Sequence, residues 1–524
     1  MKAATTRRFQ TVHTWAGLLA GFALFVAFYA GALSVFHDDI AAWQNPPWRA
    51  APDARVPVSA LIGSLIAHHP EARDDFGIVL PGGGNGAPYA FWRDKDGEHV
   101  ATASQMAAPT TDFGGSSLAD FVYALHYSLG LPAVGMYLMG IVSVLYGLAL
   151  VSGILIHLPQ LLGDLFALRA GRNLKRLWQD AHNAIGVLSL PFHVVFALTG
   201  AIFCLSTVVL LALNPIAFDG KLIGMYTQVL TTASATKASG EPAAMLPPAQ
   251  LIASARSAAL AEGVSTFDPD YLHFMHYGDR NAVVEVRGLS LHTLGTFGTV
   301  ALSAVDGRVL ATHAGNGLDA NGITWSALYA LHFGNFGGST VRWLYFVLGL
   351  AGAFLFYSGN LLWVESRRKR RHADQPLRTR VMARATVGVC IGTCLGISGA
   401  FGAALACSHL GIDATVAQRV ACYGLFFAAC AWASVRPVAR AAAELLYATA
   451  ALSIAVAIAD LIGNAGHWLQ PWTPATQALL GIDLVGIALG LVFARLARAA
   501  LRRGRDGDPN SVWALPAPAA SPAN

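Results

Sequence analysis

Eight apolar stretches dominate this sequence, and each is long enough to cross a lipid bilayer as an α-helix. Hydrophobic residues make up 55% of the 524 residues and charged residues only 12%, whereas about 25% of an ordinary soluble domain is charged. A helix needs about 20 apolar residues to span the hydrocarbon core. The chain is therefore predicted to be an all-α polytopic membrane protein in a lipid bilayer. The predicted spans are 16–36, 131–158, 178–213, 341–364, 385–407, 416–435, 440–464 and 475–499.

Basic residues cluster at the ends of these spans and predict their orientation. Arg7 and Arg8 precede the first span, the run 367–371 follows the fourth, and Arg502 and Arg503 follow the last. All the clusters then fall on one side, which the positive-inside rule makes the cytoplasm. The protein is predicted to lie in a bacterial inner membrane with both termini cytoplasmic. Because the net charge of +5 is concentrated at helix ends, it gives no indication of nucleic-acid binding.

Two polar segments, 38–118 and 214–322, interrupt the apolar stretches and are predicted to face the periplasm. Each has one helical pattern followed by short runs that indicate strands, and Asp306-Gly307 predicts a β-hairpin. The predicted fold is about eight transmembrane helices with two small α+β periplasmic inserts. Its parts are a first helix in 1–37, an insert in 38–118, the second and third helices with a cytoplasmic loop in 119–213, an insert in 214–322, a fourth helix in 323–371, a C-terminal four-helix membrane region in 372–505 and a disordered tail in 506–524.

The first four spans contain an internal repeat. HTWAG aligns with HNAIG, and YALHYS aligns with YALHFG at an offset of 206 that also superposes two Ser-Gly pairs without a gap. Spans one and two are therefore repeated as spans three and four, and the first four helices form a duplicated hairpin. Both copies begin on the same side, which predicts a pseudo-two-fold axis along the membrane normal. The aligned positions are His13 with His182, His126 with His332, and Ser152-Gly153 with Ser358-Gly359.

The repeat places two equivalent histidines at each predicted membrane face. His13 and His182, the inner pair, lie at the cytoplasmic ends, and His126 and His332, the outer pair, lie at the periplasmic ends. Ionisable residues are costly in lipid and usually mark a partner or cofactor. Residues related by a central axis can approach one group from opposite sides, as two imidazoles do around a haem iron. A glycine four residues after each inner histidine would leave room for a porphyrin. Two such levels would carry an electron across the bilayer.

Two further histidines in the spans lack a mate in the repeat. His157 ends the second span at the depth of the inner pair and could replace either member as a ligand. His193 lies near mid-bilayer, three turns from His182. Depth alone leaves both of them open as alternative ligands.

Four segments that occur in order give the sequence a family resemblance. They are HTWAGLLAGFALFVAFYAGALSVF, ALHYSLGLPAVGMYLMGIVSVLYGLALVSGILIH, WQDAHNAIGVLSLPFHVVFALTG and LHFGNFGGSTVRWLYFVLGL. Over about residues 5–370 the chain resembles the PepSY-associated transmembrane family of bacterial iron-regulated membrane proteins, and VDGRVL is similar to the terminal hairpin of the PepSY module. Members of that family include inner-membrane ferric-siderophore reductases with two b-type haems. The resemblance implies haem ligation by His13, His126, His157, His182, His193 and His332.

Together these features predict an enzyme that reduces a periplasmic ferric siderophore and releases its iron. No glycine-rich segment follows a predicted strand and opens a helix as a nucleotide-binding fingerprint requires. Electrons are therefore expected from a quinol or a separate cytoplasmic reductase. No catalytic residue is predicted beyond the haem ligands, and the last four spans carry no functional prediction. Two alternatives stay open: a permease for iron, haem or siderophore, and a non-redox membrane protein whose inserts bind periplasmic partners.

Overall fold

The computed structural model describes residues 3–44, 56–81, 87–95, 97–109, 117–157, 174–223, 237–290, 294, 297–369, 371–372, 374–468 and 474–515. The helices are α1 Ala3–Ser34, α2 His37–Gln44, α3 Val58–His68, α4 Ser117–Ser128, α5 Val134–His157, α6 Leu174–Leu188, α7 Leu190–Ala217, α8 Pro248–Ala261, α9 Ala320–Phe333, α10 Gly338–Arg367, α11 Leu377–Thr386, α12 Gly392–Leu410, α13 Thr415–Val435, α14 Val438–Gly463, α15 Ala465–Trp468 and α16 Pro474–Asp506. The strands are β1 Asp75–Val79, β2 Tyr89–Asp94, β3 Gly97–Ala101, β4 Asp268–Met275, β5 Val283–Leu289, β6 Phe297–Ser303 and β7 Val309–His313.

Eight helical segments in the described part of the chain are long and apolar enough to cross a membrane. This confirms the predicted polytopic helical fold. The third predicted span is divided at Ser189 into α6 and α7, and Pro191 stands in the first turn of α7, where its missing N–H costs little. The fifth span runs from α11 through a π-helical turn, Val387–Ile391, into α12. Such turns widen a helix locally and are frequent at functional sites.

The chain divides into two compact units. The helical unit comprises Met1–Gln44, Ser117–Leu205 and Phe346–Asn524, and the sheet unit comprises Asn45–Ser116 and Ser206–Tyr345. Helices α7 and α10 contribute residues to both units.

Within the helical unit, the short helix α2 joins α4 to the C-terminal helices. The Gln44 side-chain oxygen accepts from the Leu118 backbone N–H at 3.1 Å, and the Gln44 carbonyl accepts from the Ser408 hydroxyl at 3.1 Å. The Trp43 indole N–H donates to Asp483 Oδ1 at 3.0 Å. The sequence placed this segment at the start of a polar insert. It is instead a helix with a buried apolar side, which packs against the membrane helices.

The C-terminal segment folds back on the helical unit. Helix α16 continues to Asp506, and the Leu515 N–H then donates to the Gly504 carbonyl at 2.9 Å. The Trp513 indole N–H donates to Glu365 at 2.8 Å. Residues 507–515 therefore have defined partners, in contrast to the disordered tail predicted from position 506. Residues 516–524 of that predicted tail lie outside the described residues.

The two predicted inserts contribute to one antiparallel sheet in the sheet unit. Its strand order is β3-β2-β1-β4-β5-β6-β7, so β1 of the first insert pairs directly with β4 of the second. Phe76 pairs with Phe274 at this seam, with ring centres 5.1 Å apart. Each insert supplies one helix and a set of neighbouring strands that begins at the β1–β4 pairing and runs to one edge of the sheet. The two copies of the repeat therefore meet at this seam. The two inserts predicted from the sequence are present, and the structure adds that their strands pair into one sheet.

The core of the sheet unit lies between the sheet and the two insert helices. Leu61 and Leu65 of α3 and Leu251 of α8 are fully buried with Ile78 and Leu272 of the seam strands.

The predicted hairpin joins β6 to β7. Gly307 adopts a φ of +73° in its turn, a conformation that glycine reaches without steric cost, and the neighbouring Asp306 carboxylate accepts from the Arg308 N–H.

Candidate functional site

The inner histidine pair meets inside the helical unit. His13 lies on α1 and His182 on α6, with ring centres 6.2 Å apart and ring planes at 84°. His13 Nδ1 lies 2.8 Å from the Ala149 carbonyl oxygen, and His182 Nδ1 lies 3.1 Å from the Leu355 carbonyl oxygen. Ala149 and Leu355 are 206 residues apart, which is the offset of the repeat. The pseudo-symmetry read from the sequence therefore extends to the hydrogen bonds of the two rings.

A glycine supports each inner ring. A Cβ atom at Gly153 would lie 3.1 Å from His13 Cε1, and one at Gly359 would lie 3.3 Å from His182 Cε1. Both distances are tighter than ordinary van der Waals contact, so each imidazole rests on a helix surface that has no side chain. The repeated Ser-Gly pairs thus have a structural reason. Their glycines admit the rings, and the Ser358 hydroxyl also lies 3.3 Å from His182 Nδ1.

The hydrogen bonds set the tautomer of both inner rings. A carbonyl oxygen can only accept, so the proton sits on Nδ1 and the lone pair on Nε2. Neither Nε2 makes a hydrogen bond within the described part of the chain. Metal–imidazole bonds of about 2 Å place two ring centres roughly 6 Å apart when one iron lies between them. The observed 6.2 Å fits a bis-histidine iron.

The surroundings of the inner pair also fit a planar cofactor. A Cβ at Gly17 would meet no atom within 4 Å, and one at Gly186 would meet only Leu355, at 3.7 Å. Both glycines therefore have open space beside them, and its use by a porphyrin stays a prediction. Asn360 is buried, and its Nδ2 has no hydrogen-bond partner among the residues that the structure describes. In those residues no three His, Cys, Asp or Glu side chains gather as ligands for a bare metal ion, whereas a porphyrin iron needs only two from the protein.

His126 of the outer pair repeats the same arrangement on another helix. Its Nδ1 lies 2.8 Å from the Ala27 carbonyl oxygen of α1. A Cβ at Gly31 would lie only 2.6 Å from that nitrogen. The acceptor carbonyl and the supporting glycine are four residues apart on the facing helix, as they are for both inner histidines. His13, His182 and His126 are therefore held in the same way, each by a main-chain carbonyl and a glycine of a facing helix.

His332, the predicted mate of His126, lies on α9 in the sheet unit. Its ring centre is 5.1 Å from that of Phe333. The pairing of His332 with His126 stays a prediction of the repeat.

His193 is fully buried, and both of its ring nitrogens have partners. The Tyr146 hydroxyl lies at hydrogen-bonding distance from Nδ1, and the Ser189 hydroxyl lies 2.9 Å from Nε2. A metal bond at His193 would have to displace one of these hydroxyls. The ring also lies in an aromatic cluster around Phe28, whose ring centre is 5.9 Å away. The sequence did not indicate Tyr146 as a partner, because its counterpart in the repeat is Gly352.

His157 is the last residue of α5, about two helical turns beyond Ala149, whose carbonyl holds His13. Its role as a replacement ligand stays a prediction.

Comparison with known proteins agrees with this architecture. The family model described as the PepSY-associated TM region matches residues 10–366, which include all six candidate histidines, both inserts and the duplicated hairpin. An uncharacterized protein of Pseudomonas aeruginosa is 27% identical over 282 residues, which cover 52% of this chain and 69% of that protein. The last four spans begin after the matched region. The chain belongs to the PepSY-associated TM region family.

Proposed function

We propose that this protein is a haem-containing oxidoreductase of the bacterial inner membrane that moves electrons to a periplasmic ferric siderophore. The observation that carries the proposal is the inner pair, with two symmetry-related imidazoles whose centres are 6.2 Å apart. Both rings present Nε2 because a carbonyl holds Nδ1. A ring spacing of about 6 Å and Nε2 atoms without another partner are two features that binding of one iron by two histidines would need.

His13 and His182 hold one b-type haem in this proposal. A second haem is bound by His126, with His332 as the partner that the repeat predicts. His157 and His193 are the alternative ligands, and the two hydroxyls already bonded to His193 favour the inner pair over it. When bound, a haem iron takes up and gives off one electron at a time.

The residues of this chain orient the ligands and control their surroundings. Hydrogen bonds from Nδ1–H to the Ala149 and Leu355 carbonyls fix ring rotation and increase the basicity of Nε2. The glycines beneath the rings let the helices approach closely without steric conflict. Because His13 and His182 are partly buried among apolar helices, these two ligands and the low polarity around them would set the potential of the iron.

A ferric chelate is the acceptor that agrees best with the family resemblance. Fe(III) is a hard ion that siderophore oxygens bind tightly, and one electron converts it to Fe(II), which they bind weakly. Reduction on the periplasmic side therefore releases iron from its carrier. The electron donor in this scheme is a quinol or a separate cytoplasmic reductase.

The visible spectrum of the purified full-length protein, with its haem content per chain, tests this proposal. We expect a Soret band and two haems per chain. His13→Ala and His182→Ala should each lose one haem, and the double variant should lose no more than either alone. His68→Ala is the control, because His68 is exposed on the surface of the sheet unit. Protein produced with adequate haem that shows no Soret band would contradict the proposal.

A ferric siderophore added to the dithionite-reduced protein tests the acceptor separately. We expect rapid reoxidation of the haem and the appearance of Fe(II), trapped by a ferrous chelator. A haem protein that no ferric chelate reoxidises would require a different acceptor.

A further inference from the structure

A cavity of about 690 Å³ lies in the helical unit. That volume falls in the usual range for small-molecule sites, about 300–1,000 Å³. Helices α1, α6 and α10 of the duplicated hairpin form one side, and α12, α14 and α16 with the π-helical turn form the other. The last four spans, for which the sequence predicted no function, thus supply most of its lining residues.

The cavity wall is continuous with the groups that hold His182. Phe354 and Tyr357 line the cavity, and each is directly adjacent in sequence to a residue that contacts His182 Nδ1, namely Leu355 or Ser358. Trp178, one helical turn before His182, also lines it, with its ring centre 6.2 Å from that of Phe354. A flat ring stacked on Trp178 would lie about one helical turn along α6 from His182.

The chemistry of the wall suits an amphiphile with an aromatic head. Most of the lining is apolar, and Phe25, Phe354 and Trp178 offer faces for stacking. The Tyr357 hydroxyl makes no hydrogen bond to any described residue, so it is available to a polar ring substituent. Val492 and Leu496 line the cavity and are nearly half exposed, so a molecule dissolved in the bilayer can reach it.

One end of the cavity is polar. Arg502, Arg503 and Asp506 line it at the end of α16, next to Trp513. This end is the one predicted to face the cytoplasm, and it offers a carboxylate and water access for protons released inside. The π-helical turn contributes Cys390 and Ile391 to the wall.

We infer that this cavity binds a lipid-soluble quinol, whose ring lies among Trp178, Phe354 and Tyr357. The inference rests on the proposed function and names its electron donor. Oxidation of one quinol to the quinone releases two electrons and two protons. His13 and His182 would hold the haem that takes up these electrons one at a time, and Asp506 lies at the polar end where the protons would leave.

Quinone binding and haem reduction test the inference in full-length protein held in lipid nanodiscs. Decylubiquinone should quench the tryptophan fluorescence of the oxidised protein, and decylubiquinol should reduce its haem without dithionite. Ala500→Phe and Leu496→Trp fill the cavity and should weaken binding at least ten-fold, with a similar loss of reduction rate. Leu491→Trp, at an exposed position of the same helix that does not line the cavity, is the matched control and should change neither by more than two-fold. Tyr357→Phe should weaken binding about five-fold, as the loss of one hydrogen bond predicts.

The outcomes separate this inference from the proposed function. One outcome would overturn the quinol site and leave the haem proposal intact. In that outcome the protein binds no decylubiquinone, and its haem is reduced by dithionite but not by decylubiquinol. Protein without haem would overturn the proposed function, while fluorescence quenching would still test the cavity. Unchanged binding in both cavity-filling variants would place the quinone elsewhere. A phospholipid that co-purifies at one per chain and resists displacement by decylubiquinone would identify a lipid as the occupant and contradict the inference.

Discussion

The glycine beneath His126 gives the sharpest structural prediction. In Gly31→Ala the new Cβ would lie 2.6 Å from His126 Nδ1, where ordinary contact begins at 3.4 Å, so the ring must move away by 0.8 Å, the difference of these values. The bond from Nδ1 to the Ala27 carbonyl is 2.8 Å long, and a shift of that size lengthens it to about 3.6 Å, which is no longer a hydrogen bond.

The cost of Gly31→Ala follows from three contributions. The lost hydrogen bond costs about 1 kcal/mol, and overpacking costs about 1–3 kcal/mol. Replacing a helical glycine with alanine returns about 1 kcal/mol. We therefore expect the free energy of unfolding to fall by about 1–3 kcal/mol. The ligand geometry at His126 should also be lost, so haem content should fall from two per chain to one.

Thermal unfolding of the purified protein in detergent, followed by tryptophan fluorescence, measures the first effect. Gly424→Ala is the matched control, because it lies inside a membrane helix and a Cβ there meets nothing within 4 Å. Its midpoint should equal or exceed that of the parent protein, while Gly31→Ala should melt several degrees lower. Equal midpoints and equal haem content in Gly31→Ala and Gly424→Ala would refute the reasoning about the supporting glycines.

Two further predictions concern other parts of the chain. Burial disfavours a charge on His273, but its hydrogen bond to Asp75 and its ion pair with Glu285 raise its pKa to about 9. Its contribution to the stability of the sheet is therefore complete below pH 6.5 and is lost as the pH rises through about 9. Hydrogen exchange of β1 and β4 amides in the full chain should show this loss, and His273→Gln should abolish it. Trp43→Phe removes the donor to the buried Asp483 carboxyl and should lower the free energy of unfolding by about 1–3 kcal/mol. An unchanged thermal midpoint for Trp43→Phe would contradict the role assigned to α2.

The membrane architecture could be predicted because its signals are local. A span is a run of about 20 apolar residues, and basic residues mark its ends. The repeat could be recognised because His13 and His126 recur with their glycines at fixed spacing. The same spacing predicted that His13 and His182 would meet, and the structure brings them together.

The partners of those histidines could not be read from the sequence. Main-chain carbonyls hold the rings, and a carbonyl carries no residue signature. The Ser-Gly pairs at 152–153 and 358–359 were the only trace of this arrangement. No pattern in the sequence indicated that Tyr146 and Ser189 would both hydrogen-bond His193, since the repeat has Gly352 and Ala20 at the corresponding positions.

The shared sheet was missed for a different reason. Its central pairing joins Asp75–Val79 to Asp268–Met275, strands separated by two membrane spans in sequence. Local patterns predict that strands exist but do not say which strands pair. The pseudo-two-fold axis offered a possible clue, because two copies of an insert related by such an axis can pair through equivalent edges. The cavity also could not be predicted from the sequence, because its wall is formed by helices from both halves of the chain.

Low-temperature EPR of the oxidised protein tests the central claim most directly, because it reports the axial ligands of each haem. Two imidazoles with planes at 84° should give a strongly anisotropic low-spin ferric signal. That signal should disappear in His13→Ala and in His182→Ala and persist in His68→Ala. A haem at this level whose low-spin signal survives in both His13→Ala and His182→Ala would contradict the claim that the inner pair holds it.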